Sequence, residues 1–160
     1  MRPFISISLF AIFLFAPVSA GAPFTSPLPT SPFDEYGEIT WENEMARLDN
    51  FAVQLQNVPV FVGYIFVYDG VHGCAGEAQA RAIRAKRYLV EYRGIAWNQV
   101  IWRPEGHLEG RSVSTVLIVA GRNMVLPRPF LYSDSVLPAA KGETSRVCQG
   151  KLRRIRMSKW

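Results

Sequence analysis

Residues that build metal and catalytic centres are scarce in this chain. Its 160 residues include two cysteines and two histidines, and no cluster of His, Cys, Asp and Glu has the spacing of a known metal motif. No internal repeat occurs, and no long apolar run follows the first twenty residues. These absences argue against a zinc module, a repeat array and a multi-span membrane protein. We expect neither a metal nor another cofactor.

A thiol-dependent enzyme is the catalytic alternative that these few residues leave open. His72, Cys74 and His107 could supply a nucleophile and a base. No pattern places a carboxylate to orient either histidine, and His72 and Cys74 are too close along the chain to indicate a productive pair. We therefore expect no enzyme activity. The alternative requires Cys74 to be a free thiol.

The first twenty residues have the pattern of an export signal. Arg2 provides a positive start, residues 4–15 form an apolar run, and residues 18–20 read Val-Ser-Ala, a small-residue cleavage site. A membrane anchor is the alternative, but the run is short for a bilayer span and meets Pro17 at once. The sequence therefore predicts an exported protein, placed in the periplasm or cell envelope, or secreted.

Composition divides the rest of the chain into three parts. Residues 21–32 are rich in Pro, Ser and Thr and predict an extended linker. Residues 33–121 carry the periodic patterns of one folded domain, and residues 122–160 are expected to form an irregular basic tail. Five basic residues of the segment 151–160 alternate with apolar ones, which could contact an anionic envelope polymer or membrane surface. A solvated end is the alternative.

Cys74 and Cys148 are the candidates for a disulfide, which an oxidising compartment would permit. The bond would join the tail to the start of a basic helix. Closing a loop of this length would stabilise the fold by about 4 kcal/mol. Two free thiols remain the alternative.

Periodicity predicts six elements in the domain. They follow the order β-α-β-α-β-β and cover residues 33–41, 42–57, 60–68, 74–93, 98–102 and 112–120. The last two strands are expected to form a hairpin with a long loop. We therefore predict an α/β (α+β) two-layer sandwich, in which two helices pack on one face of a four-stranded mixed sheet.

The second helix is the most informative segment. Its apolar stripe comprises Ala78, Ala82, Ala85, Leu89 and Tyr92. Three arginines at positions 81, 84 and 87 lie off that stripe, and a glycine at position 94 is placed to end the helix. A loop that leads from a strand into the start of a basic helix can hold an anion, because the first backbone amides of the helix are unpaired.

Short motifs around this helix resemble the OmpA-like peptidoglycan-binding domain. They are Tyr68-Asp69-Gly70, Arg81-Ala82, Tyr88-Leu89 and Gly94-Ile95, and the resemblance covers about residues 33–120. It implies a non-catalytic envelope module that grips the diaminopimelate of the peptide stem. By position, Arg81 matches the family arginine that holds a carboxylate, and Asp69 is the only nearby candidate for the aspartate that contacts the ammonium group.

This chain departs from that family in the loop between Asp69 and Arg81, which is short and lacks the usual Asn and Leu-Ser residues. Glu77 lies one helical turn before Arg81 and could simply pair with it. The alternative function is therefore a divergent secreted structural or protein-interaction domain that has lost the peptidoglycan pocket. Nucleic acid is not an expected partner, because the aromatic residues are predicted to be buried.

Overall fold

The structure is a computed structural model that describes residues 32–70, 73–108, 113–122, 124, 126, 136–137 and 144–157. The predicted export signal, nearly all of the linker and much of the tail lie outside these ranges. Within the described ranges, no helix has the length and apolar character needed to cross a bilayer.

The predicted α+β class and element order are confirmed. The elements are β1 (Asp34–Tyr36), α1 (Trp41–Asn57), β2 (Phe61–Gly70), α2 (Glu77–Arg87), a π-helical turn (Tyr88–Tyr92), a 3-10 turn (Trp97–Gln99), β3 (Val100–Leu108), β4 (Ser114–Gly121), β5 (Val136–Leu137) and α3 (Arg146–Met157). Four strands form a mixed sheet in the order β1-β4-β2-β3, and the two-residue β5 pairs with the outer edge of β3.

The predicted hairpin between the last two long strands is wrong. β3 pairs with β2 in parallel, and β4 pairs with the other edge of β2 in antiparallel orientation. β2 lies between them because its side chains are apolar on both faces and nearly all of them are buried. β3 also runs through Pro104 to Leu108, where the long loop of the hairpin was predicted. A register shift opposite Val67 and Asp69, and Gly106 at φ 107°, accommodate the longer strand.

Both α1 and α2 cover one face of the sheet. The core on that face joins Leu48 and Phe51 of α1 to Ala82 of α2 and Ile65 of β2. α1 comes close to the sheet because β2 has a glycine at position 63. A Cβ added there would lie 2.7 Å from the Cδ1 atom of Leu55. The opposite face of the sheet carries a second buried cluster.

The apolar stripe of α2 is buried as predicted at Ala78, Ala82, Ala85 and Leu89. Tyr92 is exposed instead, because the helix changes to a π-helical turn before reaching it. Gly94 follows at φ 70°, the left-handed conformation expected at a helix end.

The C-terminal segment contains a helix where an irregular tail was expected. In α3, the side chains of Cys148 and Ile155 are buried, and Leu152 between them is half-buried. These positions are spaced by four and three residues, so they form one helical stripe that packs beside α2. The three prolines of the segment, at positions 127, 129 and 138, all precede this helix.

Candidate functional site

Asp69, at the end of β2, bonds to the first turn of α2. Its Oδ1 atom accepts a hydrogen bond of 2.8 Å from the backbone N–H of Ala78. Burial raises the pKa of the Asp69 carboxyl, although the bond from Ala78 opposes that shift. This contact satisfies one of the unpaired amides at the helix start. In the described structure, Asp69 therefore holds α2 onto the sheet.

Arg81 lies one turn further along α2 and belongs to a four-member ion cluster. Its guanidinium donates to the carboxylate of Glu77 at 2.9 Å and to that of Glu38 at 3.2 Å. The ammonium group of Lys151, on α3, contacts the same two carboxylates at 2.9 Å each. The Arg81 side chain is 7% exposed. The four charges alternate in sign, so each cation has two carboxylate partners.

The pKa values in this cluster follow from its contacts. Burial alone would raise the pKa of Glu77, but hydrogen bonds from Lys151 and Arg81 outweigh burial and lower it. Burial would likewise lower the pKa of Lys151, whereas its bonds to Glu77 and Glu38 raise it. Glu77 and Lys151 are therefore charged at neutral pH, and their ion pair attaches α3 to the start of α2.

The predicted disulfide is present in the structure and adds a covalent link at the same place. Cys74 and Cys148 are bonded, with their Cα atoms 5.3 Å apart, a usual separation for a disulfide. Cys74 is therefore not the free thiol that the enzyme alternative requires. His72, its proposed partner, lies outside the described residues.

The other proposed base, His107, is buried in β3 beside Asp69 of β2 in the strand register. Its Nδ1 atom has no hydrogen-bond partner among the described residues. In that part of the chain, no group of three or more His, Cys, Asp or Glu residues could hold a metal ion.

A second ion pair lies beneath the middle of α2. The Arg84 guanidinium bonds to the carboxylate of Glu44 on α1, and both side chains are almost fully buried. The guanidinium also lies over the Trp41 ring, 4.1 Å from its centroid. Burial raises the pKa of Glu44 in spite of the opposing charge of Arg84. The pair joins α1 to α2 across the helical layer.

The outer surface formed by α2 and α3 is basic. We call the exposed arginines there the basic α2–α3 surface; they are Arg87, Arg146, Arg153, Arg154 and Arg156. α3 has no acidic residue between its first and last positions. Because the disulfide and Lys151 fix α3 beside α2, the exposed arginines of both helices belong to two neighbouring elements.

A cavity of about 260 Å³ opens between the two helices on this side. It is lined by Gln79, Ala80, Ile83, Arg84, Arg87 and Arg156. Neither Asp69 nor Arg81 is among the lining residues. The two predicted ligand residues thus lie near each other at the start of α2, whereas the open space lies further along the helix.

Sequence reasoning assigned the basic residues of 151–160 to a possible anionic contact, but it did not place Lys151 beside Glu77 or Ile83 and Arg156 at a cavity. A usable signal was present, because Cys148, Leu152 and Ile155 follow helical spacing and would have predicted α3 with its arginines facing outward. No sequence signal singled out the exposed Ile83, which lies between Arg81 and Arg84 of α2.

No protein-family model matches this chain, and no curated protein or solved structure matches it either. The resemblance to OmpA-like domains therefore stays a prediction from the sequence motifs. The class that the described residues define is an α+β domain with a disulfide-linked basic helix.

Proposed function

We propose that this chain is an exported, non-catalytic binding domain that attaches to an anionic polymer of the cell envelope. The basic α2–α3 surface is the proposed contact. The observation that carries the proposal is the double attachment of α3, by the Cys74–Cys148 bond and by Lys151. A helix with so many positive charges would repel the basic α2. Its attachment beside α2 is explained if the combined positive charge binds an anionic ligand.

Export is the part of the proposal that the sequence and the disulfide support together. The first twenty residues have a signal pattern, and disulfides persist in oxidising compartments. The formal net charge of +5 agrees with an anionic partner.

Gripping the peptide stem through Asp69 and Arg81 is the second candidate. It is favoured by the position of both residues at the first turns of α2. The internal bonds of both side chains weigh against it, because Arg81 would have to leave Glu77 and Glu38 to bind a ligand carboxylate. We therefore rank it below binding through the basic surface.

Sedimentation with purified cell wall tests both candidates. Basic residues at an anionic surface contribute about 1 kcal/mol each, so Arg153→Gln/Arg156→Gln should weaken binding by about tenfold or more. Arg47→Gln/Arg122→Gln removes the same charge from two positions outside α2 and α3, of which Arg47 is half-buried and Arg122 exposed, and serves as the control.

Equal binding by these two double variants would contradict the basic-surface proposal. Arg81→Ala, first checked for folding by circular dichroism, should still sediment with the wall. If it folds and loses binding, the second candidate is favoured.

A further inference from the structure

The cavity between α2 and α3 has the dimensions of a site for a small group. Its volume of about 260 Å³ lies just below the range usual for drug-sized ligands. The fixed attachment of α3 at its start keeps the two walls together, because Cys148 and Lys151 both lie on α3. The cavity is therefore built into the fold.

Three guanidinium groups line the cavity, from Arg84 and Arg87 on α2 and from Arg156 on α3. Glu44 bonds to Arg84 from beneath, and Glu91 pairs with Arg87 at 3.2 Å. Three guanidinium groups at one cavity favour an anionic ligand.

The wall of the cavity is also partly apolar. Ile83 is 38% exposed there, and Ala80 lies one turn before it on the same helix. A ligand with a carbon substituent beside its charge could cover these side chains. A bare inorganic anion would leave them in contact with water.

We propose that this cavity binds a phosphodiester group, with Arg87 and Arg156 holding its charged oxygens and Ile83 contacting its carbon substituent. This proposal rests on the proposed function and gives the anionic partner a chemical class. Planar guanidinium groups suit phosphate oxygens because they donate two hydrogen bonds in parallel. A phosphodiester is an anion with carbon on both sides, so it can contact the arginines and the apolar wall together.

Side-chain NMR of the full chain, with its disulfide intact, tests the proposal directly. Glycerophosphoglycerol is the probe, and glycerate is the matched carboxylate monoanion. We expect saturable shifts of the Arg87 and Arg156 side-chain signals with the diester and much smaller shifts with glycerate. Shifts that are equal for the two probes, or spread evenly over all exposed arginines, would overturn the assignment.

Matched variants give the second readout. A charge-assisted bond lost from the site should weaken binding of the diester by about tenfold for Arg156→Gln. Arg153→Gln changes the same charge on the same helix without lining the cavity, so it should have less than about a twofold effect. Equal weakening by both variants would mean that the diester binds a diffuse basic surface and not the cavity.

Two further probes separate the sources of the diester and separate this proposal from the proposed function. Vesicles of phosphatidylglycerol in phosphatidylcholine carry it on a lipid, and poly(glycerol phosphate) carries it on a soluble polymer. Binding to either one that needs Arg156 supports the site and identifies the source. Cell-wall binding without any diester binding would overturn the cavity proposal alone. Absence of all binding, including to the wall, would overturn both.

Discussion

Two sets of arginines lie on or beside α2, and they differ in exposure and in partners. The side chains of Arg81 and Arg84 are 7% and 8% exposed, and each bonds to a carboxylate that is 2% exposed or less. The side chain of Arg87 is 45% exposed, and its partner Glu91 is 50% exposed. The first two form the inner set; Arg87 and Arg156 form the outer set.

The comparison indicates that the burial of a guanidinium group determines whether it can exchange its carboxylate partner for a ligand. A buried ion pair resists separation, because removing one partner leaves an uncompensated charge in a poorly solvated place. An exposed pair contributes little and can exchange its partner for a ligand at small cost. The inner set therefore holds the helices together, and the outer set lies where a ligand can reach it.

Removing the disulfide should have the largest effect, and it should affect the outer set first. Cys74→Ser/Cys148→Ser opens a loop of sequence separation 74, which should lower the free energy of unfolding by about 4 kcal/mol. Urea unfolding measures the loss. Diester binding should weaken as α3 loses its anchor, whereas the Arg84–Glu44 pair should keep α1 on α2.

A disulfide-free variant that retained both its stability and its diester binding would show that Lys151 alone anchors α3. The wild-type protein with added reductant is the control, and it should behave like the double serine variant.

Breaking the inner set should have the next largest effect. Arg84→Gln leaves the buried Glu44 carboxylate without its guanidinium partner, so we expect a loss of about 3 kcal/mol in the free energy of unfolding. Arg87→Gln makes the same chemical change in the exposed pair with Glu91 and should cost less than about 0.5 kcal/mol. Urea unfolding of the two variants side by side measures the contrast. Similar losses would mean that the two arginine sets do not differ energetically.

The sandwich was predictable because its elements carry strong local patterns. The run of residues 60–68 indicated a central strand, and the alanines of α2 indicated a helix that packs closely on a sheet. Strand order was not predictable in the same way. β3 and β4 are neighbours along the chain, yet both pair with β2, and this depends on contacts far apart in sequence.

The candidate site was predictable only in part. The cysteine pair and the basic character of α2 were visible in the sequence. The burial of Arg81 was not, because it depends on Glu38 and Lys151, which lie 43 and 70 positions away along the chain. Arg81 is one helical turn from Glu77, so the sequence suggested their pairing but did not show that a second helix would close over it.

The smallest expected effect is on the pH dependence of stability. It should distinguish Glu77 and Glu44, the carboxylates that contact Arg81 and Arg84 of the inner set. Bonds from Lys151 and Arg81 outweigh burial and lower the pKa of Glu77 below its usual 4.5. Its stabilisation is therefore present above pH 4.5 and lost as the pH falls through the folded-state pKa. Burial raises the pKa of Glu44 above 4.5, so stability falls as the pH rises from 4.5 through that raised pKa.

Urea midpoints between about pH 3 and 6 measure both effects. Compared with the wild type, Glu77→Gln should lose less stability on acidification below 4.5, and Glu44→Gln should lose less on alkalinisation above 4.5. The titration of Asp69 cancels for Glu44→Gln but changes for Glu77→Gln, because the Glu77 charge contributes to the raised pKa of Asp69. A Glu77→Gln profile parallel to that of the wild type below pH 4.5 would mean that Lys151 does not hold α3 through this carboxylate. The disulfide would then be the anchor on which the binding surface depends.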